Sequence, residues 1–282
     1  MRVSVAGNIN VDISALISPS TNSEENRIQD LTLSLGGSAA NTAVTLARLR
    51  REIFLQGAVG DDRFGEDLQV ALRKKGVRTE YVRVFEGKTG MCFSAIEKSG
   101  DRHLFTYRGV NESYQDIEEG FEFYHFAGMS TSQLESILSS LGSVRFSYNP
   151  GGIVTFERPE EVSKIASRAE VLFLNEVEWE FLKSQLKRER LTVITLGKNG
   201  SRIEGECSAS SYKVEVVDTT GAGDAFNAGF IHAYLKENSL LHCLELGNLL
   251  GALTVSQVGA IPDVSYKDIV DYAKEMNVCI DI

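Results

Sequence analysis

Asp224 follows three small residues, Gly221, Ala222 and Gly223, and precedes a run in which Ala225, Phe226, Gly229, Phe230, Ala233 and Tyr234 recur at helical spacing. That pattern predicts a helix opened by a glycine turn. The first amides of a helix have no intrahelical partner and lie at the positive end of its dipole, and glycines on either side of Ala222 let them approach a phosphoryl group closely. A carboxylate in such a nest suits removal of a proton from a hydroxyl while the amides hold charge developing on a transferring phosphoryl group. On this stretch alone the plainer reading stays open, an early-turn acid that complements the dipole.

Other candidates for chemistry sit where strands end. Asn10 and Asp12 follow the apolar run 2–7, where an open α/β sheet binds ligands, although an Asx turn explains them equally well. Gly36 and Gly37 form a second glycine turn, with Ser38 as a helix cap and Asn41 one turn into a small-residue helix. Asn175 and Glu178, three apart at a helix start, can face one point and offer hard oxygens to magnesium; the same spacing is that of an ordinary capping box. Thr195, Gly197 and Gly200 bracket a turn containing Lys198, which reads either as a phosphate partner or as a solvated lysine. Asp61 and Asp62 read as turn and cap residues as readily as ligands, and His103 as a surface residue with no evident partner.

The elements that must hold these residues follow from periodicity. The alternating run Tyr212 to Val217 predicts a strand leading into the Gly221 turn, and 123–126, 144–148, 171–174 and 191–196 predict strands alternating with helices, hence a parallel sheet covered on both faces. Helices are expected over 64–75, 225–236 and 240–258, with a closing helix and tail over 263–282. Residues 13–34 read as two strands joined by a polar turn, and 88–110 as a hairpin turning at Gly100 and Asp101; together they predict a small separate sheet.

With 43% hydrophobic residues in 282, the chain can bury a sizeable core. A net charge of −10 speaks against nucleic acid and acidic membranes as partners. The arginines at 48, 50 and 51, and the cluster Lys183, Lys187, Arg188 and Arg190, read as solvated helix ends. Cys92, Cys207, Cys243 and Cys279 show neither a disulfide framework nor metal spacing. That cysteine usage fits a reducing cytosol, the expected location, and no run approaches the roughly 20 apolar residues of a membrane span.

The string from Asp218 to Phe230 closely resembles the carboxyl-terminal signature of the ribokinase-like (PfkB) family of carbohydrate and nucleoside kinases. Gly36 to Asn41 resembles its amino-terminal signature, and similar elements lie at 7–12, 175–178 and 195–200, in the family's order. The resemblance implies a doubly wound, mostly parallel α/β sheet with helices on both faces, built from 1–12, 36–87 and 111–282, and a β-sheet lid from 13–35 and 88–110. It implies transfer of the terminal phosphoryl group of a magnesium nucleotide, ATP or ADP, to a primary hydroxyl of a sugar, with a nucleoside as the alternative acceptor. A non-catalytic regulator and a vitamin-type kinase are weaker alternatives. In that family Asp224 is the base and Gly221, Ala222 and Gly223 the anion hole. Asn10, Asp12, Gly36, Gly37 and Asn41 hold the acceptor; Asn175, Thr195, Gly197, Gly200 and Asn248 line the nucleotide. Glu178 holds magnesium through water, and Asp218 lies beside a monovalent cation such as potassium. The lid aromatics Phe93, Phe105 and Tyr107 are expected to cover the acceptor, and the lid to form a homodimer contact.

Overall fold

Val3–Gly7 (β1) is buried along its whole length, as a central parallel strand between two layers of helices must be. The computed structural model describes residues 1–17, 26–97, 102–114, 116–186, 191–261 and 264–278. In chain order, β1 is followed by Asn10–Ile17 (β2), Ile28–Gly36 (β3), Ser38–Arg48 (α1), Ile53–Gly60 (β4), Arg63–Lys74 (α2), Arg78–Phe85 (β5), Gly90–Glu97 (β6) and Arg102–Tyr107 (β7). Next come Phe123–Ala127 (β8), Thr131–Leu141 (α3), Phe146–Asn149 (β9), Gly152–Glu157 (α4), Pro159–Ala166 (α5), Val171–Asn175 (β10), Glu176–Leu182 (α6) and Leu191–Thr195 (β11). Ser201–Ile203 (β12), Cys207–Ala209 (β13), Ala222–Tyr234 (α7), Leu240–Val255 (α8) and Tyr266–Glu275 (α9) complete it.

The large sheet runs β13-β12-β11-β10-β9-β8-β1-β4-β5, parallel from β11 to β5 and antiparallel at β12 and β13. Period-two alternation divides each central strand between two cores. Val3, Val5, Phe123 and Phe173 face α1, α7 and α8, whereas Ala6, Tyr124, Phe126 and Leu172 face α3, α5 and α6. The small sheet runs β3-β2-β6-β7, with β2 and β6 parallel and both outer pairs antiparallel.

Several expectations change. Residues 212–216 form no strand; at the end of this segment the amides of Val217 and Asp218 donate to the carbonyl of Val255 at the end of α8, at 2.7 and 3.2 Å, not to a strand neighbour. β5 and the β12–β13 hairpin were not anticipated. α7 starts at Ala222, so Gly223 and Asp224 lie within its first turn, and α8 stops at Val255, three residues short of the expected end. Arg51 is no solvated helix end: its guanidinium donates to His232 O at 2.8 Å and to Nδ1 at 3.3 Å, tying the end of α1 to α7. His103 does have a neighbour, Glu97, at 3.9 Å. The turns expected at 18–25 and at Gly100 and Asp101, together with Lys187, Arg188, Arg190 and Cys279, lie outside the described residues. No helix among the described residues is long and apolar enough to cross a membrane.

Candidate active site

At the mouth of the turn, Gly221 caps α7 in the left-handed region at φ 73°, and a β-carbon there would meet Ala260. The first intrahelical bond runs from Ala225 N to Gly221 O at 2.9 Å, so the amides of Gly223 and Asp224 precede it. A β-carbon on Gly223 would meet nothing within 4 Å. The turn therefore has open space beside Gly223, next to amides that precede the first intrahelical bond.

Asp218 shapes this turn. Its Oδ1 accepts from Thr220 N at 2.9 Å and Thr220 Oγ1 at 2.6 Å, and its Oδ2 from Gly259 N at 2.9 Å.

Asp224 meets the second glycine turn. Asn41 Nδ2 donates to Asp224 Oδ2 at 2.8 Å, and the Thr42 hydroxyl to its carbonyl at 3.3 Å. Burial pushes the Asp224 carboxyl up to about 7; hydrogen bonds from Asn41 and Ser38 pull against that, and the negative charge of Asp12 adds to it. Ser38 is not the cap of α1: Gly37 is, at φ 92°, and its β-carbon would run into the Asn8 carbonyl. The Ser38 hydroxyl serves Asp224 instead. Asn41 is 4% exposed, and its Oδ1 is buried with no hydrogen-bond partner among the described residues.

Asp12 approaches from the small sheet. A β-carbon on Gly36 would fall on the Asp12 carboxyl, so this glycine makes its place. A cleft is lined on the sheet side by Asp12, Ser14, Ser34, Cys92 and Ser94 and on the other by Asp218, Thr220, Gly259 and Ala260. The aromatics expected over it lie elsewhere. In the strand register Phe93 pairs with Ile13 and Phe105 while Cys92 pairs with Asp12, and successive side chains point to opposite faces, so Phe93 and Phe105 turn away from the cleft. Tyr107 pairs with Met91 on that same far face.

The remaining candidates lie farther along the sheet. Asn175 and Glu178 form a reciprocal capping box, Asn175 N to Glu178 Oε2 and Glu178 N to Asn175 Oδ1, each at 2.9 Å. Burial pushes the Glu178 carboxyl up, and a cation beside it would offset the cost of its charge; its hard oxygens fit magnesium chemically. Thr195 pairs with Asn175 on neighbouring strand ends. Gly200, at φ 94°, packs against Ala209 and Ser210 where a β-carbon could not fit, whereas Gly197 faces open space. Asn248 Nδ2 donates to the Ala209 and Ser210 carbonyls at 3.1 and 3.2 Å, holding the segment after β13. Asp61 and Asp62 take the plainer role: Asp61 accepts from Gly87 N and Asp62 caps α2 through Gly65 N while binding Thr89. Asn10 Oδ1 accepts at 2.9 Å from Asn111 Nδ2. Neither Asn111 nor the Asp224 bond of Ser38 was anticipated, because nothing local marks a partner so distant in the chain.

Residues 2–266 match the model of the pfkB family carbohydrate kinases. The chain belongs to that family. Among pfkB relatives, an "ATP-dependent ribose-1-phosphate kinase" of Halopiger xanaduensis is 30% identical over 92% of this chain and 94% of its own. A "Probable fructokinase-2" of Arabidopsis thaliana is 26% identical over 80% and 82%. The nucleoside kinase of Methanocaldococcus jannaschii shares the fold, with a TM-score of 0.87 at 22% identity, covering 98% of this chain and 99% of that one. The protein is thus a carbohydrate kinase of the pfkB family.

Proposed function

We propose that this pfkB kinase moves the terminal phosphoryl group of ATP to a primary hydroxyl of a sugar, with Asp224 as general base. The observation that carries the reading is Asp224 itself: a carboxyl held near neutrality in the first turn of α7, bonded to Asn41 and next to the Gly221, Ala222 and Gly223 amides. A base titrating near the working pH is both available as the anion and strong enough to take a proton. Asp12, Asn10, Asn41 and the Gly36–Gly37 turn position the acceptor so that its hydroxyl faces Asp224; the buried, unpartnered Oδ1 of Asn41 suits a sugar hydroxyl. Asp224 removes the proton as the new bond forms, and the turn's amides hold the phosphoryl oxygens.

The nucleotide lies over the strand ends bearing Asn175, Thr195, Gly197 and Gly200, with Asn248 shaping the adenine end. Magnesium would be held by Glu178 through water. When bound, it neutralises charge on the donor phosphates. A monovalent cation beside Asp218 would stiffen the anion-hole loop.

ATP as donor and a sugar as acceptor are supported by what the Halopiger and Arabidopsis relatives are named for, and a nucleoside stays as the second reading. The exposed apolar face of the small sheet supports a homodimer, and an ATP-using enzyme whose described cysteines, Cys92, Cys207 and Cys243, are free is proposed to work in the cytoplasm.

The test is a coupled nucleotide-consumption assay with ATP, and separately ADP, plus magnesium, in potassium and in choline buffers, across D-fructose, D-ribose, D-ribose 1-phosphate, inosine and adenosine. Turnover with ATP and a sugar is expected. Silence across the panel while ATP still raises the melting temperature would overturn the reading.

A further inference from the structure

Asn111 is 5% exposed and stands at the point where the small sheet is rooted in the large one. Its side chain pairs with the backbone of Ile9 as a strand neighbour would: Oδ1 accepts from Ile9 N at 3.1 Å and Nδ2 donates to Ile9 O at 3.2 Å. The same Nδ2 donates to Asn10 Oδ1 at 2.9 Å. The backbone of Asn111 is fixed in turn, its N donating to Arg108 O at 3.1 Å and its carbonyl accepting at 2.6 Å from Gln133, the residue that closes the capping box of α3. Asn111 therefore clamps the exit of β1 and the start of β2 to the rigid frame of α3.

The clamp bears on the cleft through the register of β2. Asn10 is flanked by Gly36 on β3 and Gly90 on β6, and the next same-face residue, Asp12, by Ser34 and Cys92. A β-carbon on Gly90 would fall on Asn111 Nδ2 and Asn10 Oδ1, and one on Gly36 would fall on the Asp12 carboxyl. The two glycines thus leave room for one continuous polar row, Asn111, Asn10, Asp12, and a shift at its root moves its tip. We propose that Asn111 is a positioning residue for acceptor binding, holding β2 so that Asp12 points into the cleft. This rests on the reading of Asp12 as an acceptor contact.

A double-mutant cycle between Asn111→Ala and Asp12→Ala tests it, with ATP and D-fructose, D-ribose 1-phosphate or inosine, using the acceptor with the highest kcat/KM. Asn111→Ala should raise the acceptor KM by about tenfold, with the ATP KM changed less than about twofold, whereas a general loss of structure would move both. In the Asp12→Ala background the same change should add less than about twofold. If Asp12→Ala leaves the acceptor KM unchanged, the reading of Asp12 fails and takes the proposal with it. If Asp12→Ala raises KM while Asn111→Ala is silent or undiminished in the double variant, the proposal alone fails. Asn111→Asp, which keeps the shape and the acceptor toward Ile9 N but loses both donated bonds, should give the same split. Should both variants unfold, amide exchange in the unaltered chain decides: acceptor binding must slow exchange at Ile9, and unchanged exchange there with slowed exchange at Asp224 overturns the proposal.

Discussion

As the proposed base, Asp224 is held between two demands. Its burial raises the proton affinity that such a role needs, and the same burial opposes the charge that it must carry. In the folded chain the carboxyl titrates near 7, against 3.8 unperturbed, so its contribution to stability is fully present below about pH 4 and is lost as pH rises through about 7. Asp224→Asn should therefore lower kcat at least roughly 100-fold while raising the melting temperature, more at pH 8 than at pH 5. A kilocalorie is worth about 2–4 °C in a chain somewhat shorter than this one, so calorimetry at the two pH values resolves the effect. In the unaltered enzyme kcat/KM should climb about tenfold per pH unit below about 7 and level off above it. Full turnover by the variant, or a melting shift independent of pH, would sink the assignment. At this scale the sequence was legible where neighbours form a contiguous motif, Asp224 in one and Gly37 with Asn41 in another, and the structure brings Asn41 to Asp224. The sequence was mute about Ser38, which motif spacing assigns to the cap one residue too late, and about Asn111, whose partner Ile9 lies 102 residues back.

The elements place that carboxylate by close helix packing. A β-carbon on Gly229 of α7 would stand 2.7 Å from Leu246 O, and one on Gly247 of α8 would stand 2.8 Å from the Phe226 ring. The two helices approach through their glycines, which fixes the depth of the Asp224 turn against α1. Gly229→Ala must push backbone apart and should cost about 1–3 kcal/mol, with kcat falling as the turn shifts. Gly251→Ala, on the same α8, meets its nearest atom only at 3.5 Å and should be neutral or stabilising by up to about 1 kcal/mol. Paired melts check the contrast, and equal losses would mean that helix propensity, not the close approach, governs. Periodicity made α7, α8 and the buried strands legible because their burial is continuous. It misread 212–217, whose alternation has no strand beside it and whose last amides are taken by Val255. It passed over β5, whose exposed Arg78, Glu80 and Arg83 disguise a sheet edge.

Across the whole molecule, the small sheet has one polar face and one apolar face, and only the polar one has an evident use in the cleft. On the far face Phe105 is 61% exposed, Leu33 51% and Leu31 49%, with the Phe93 and Phe105 rings 6.3 Å apart. A four-stranded sheet carrying that much apolar surface gains by meeting another such surface, and a second copy of the chain offers one by symmetry. The chain's net charge of −10 works against association in general, which makes a specific apolar contact the route available. Because the strands that would form the contact carry Asp12, Ser14, Cys92 and Ser94 on their other side, pairing would also stiffen the proposed acceptor wall. Leu33→Glu with Phe105→Glu should convert a dimer into single chains in sedimentation velocity and raise the acceptor KM several-fold, leaving the ATP KM within about twofold. An unaltered protein that sediments as a single chain at micromolar concentration would overturn the dimer; a dimer that survives both glutamates would move the contact to another face.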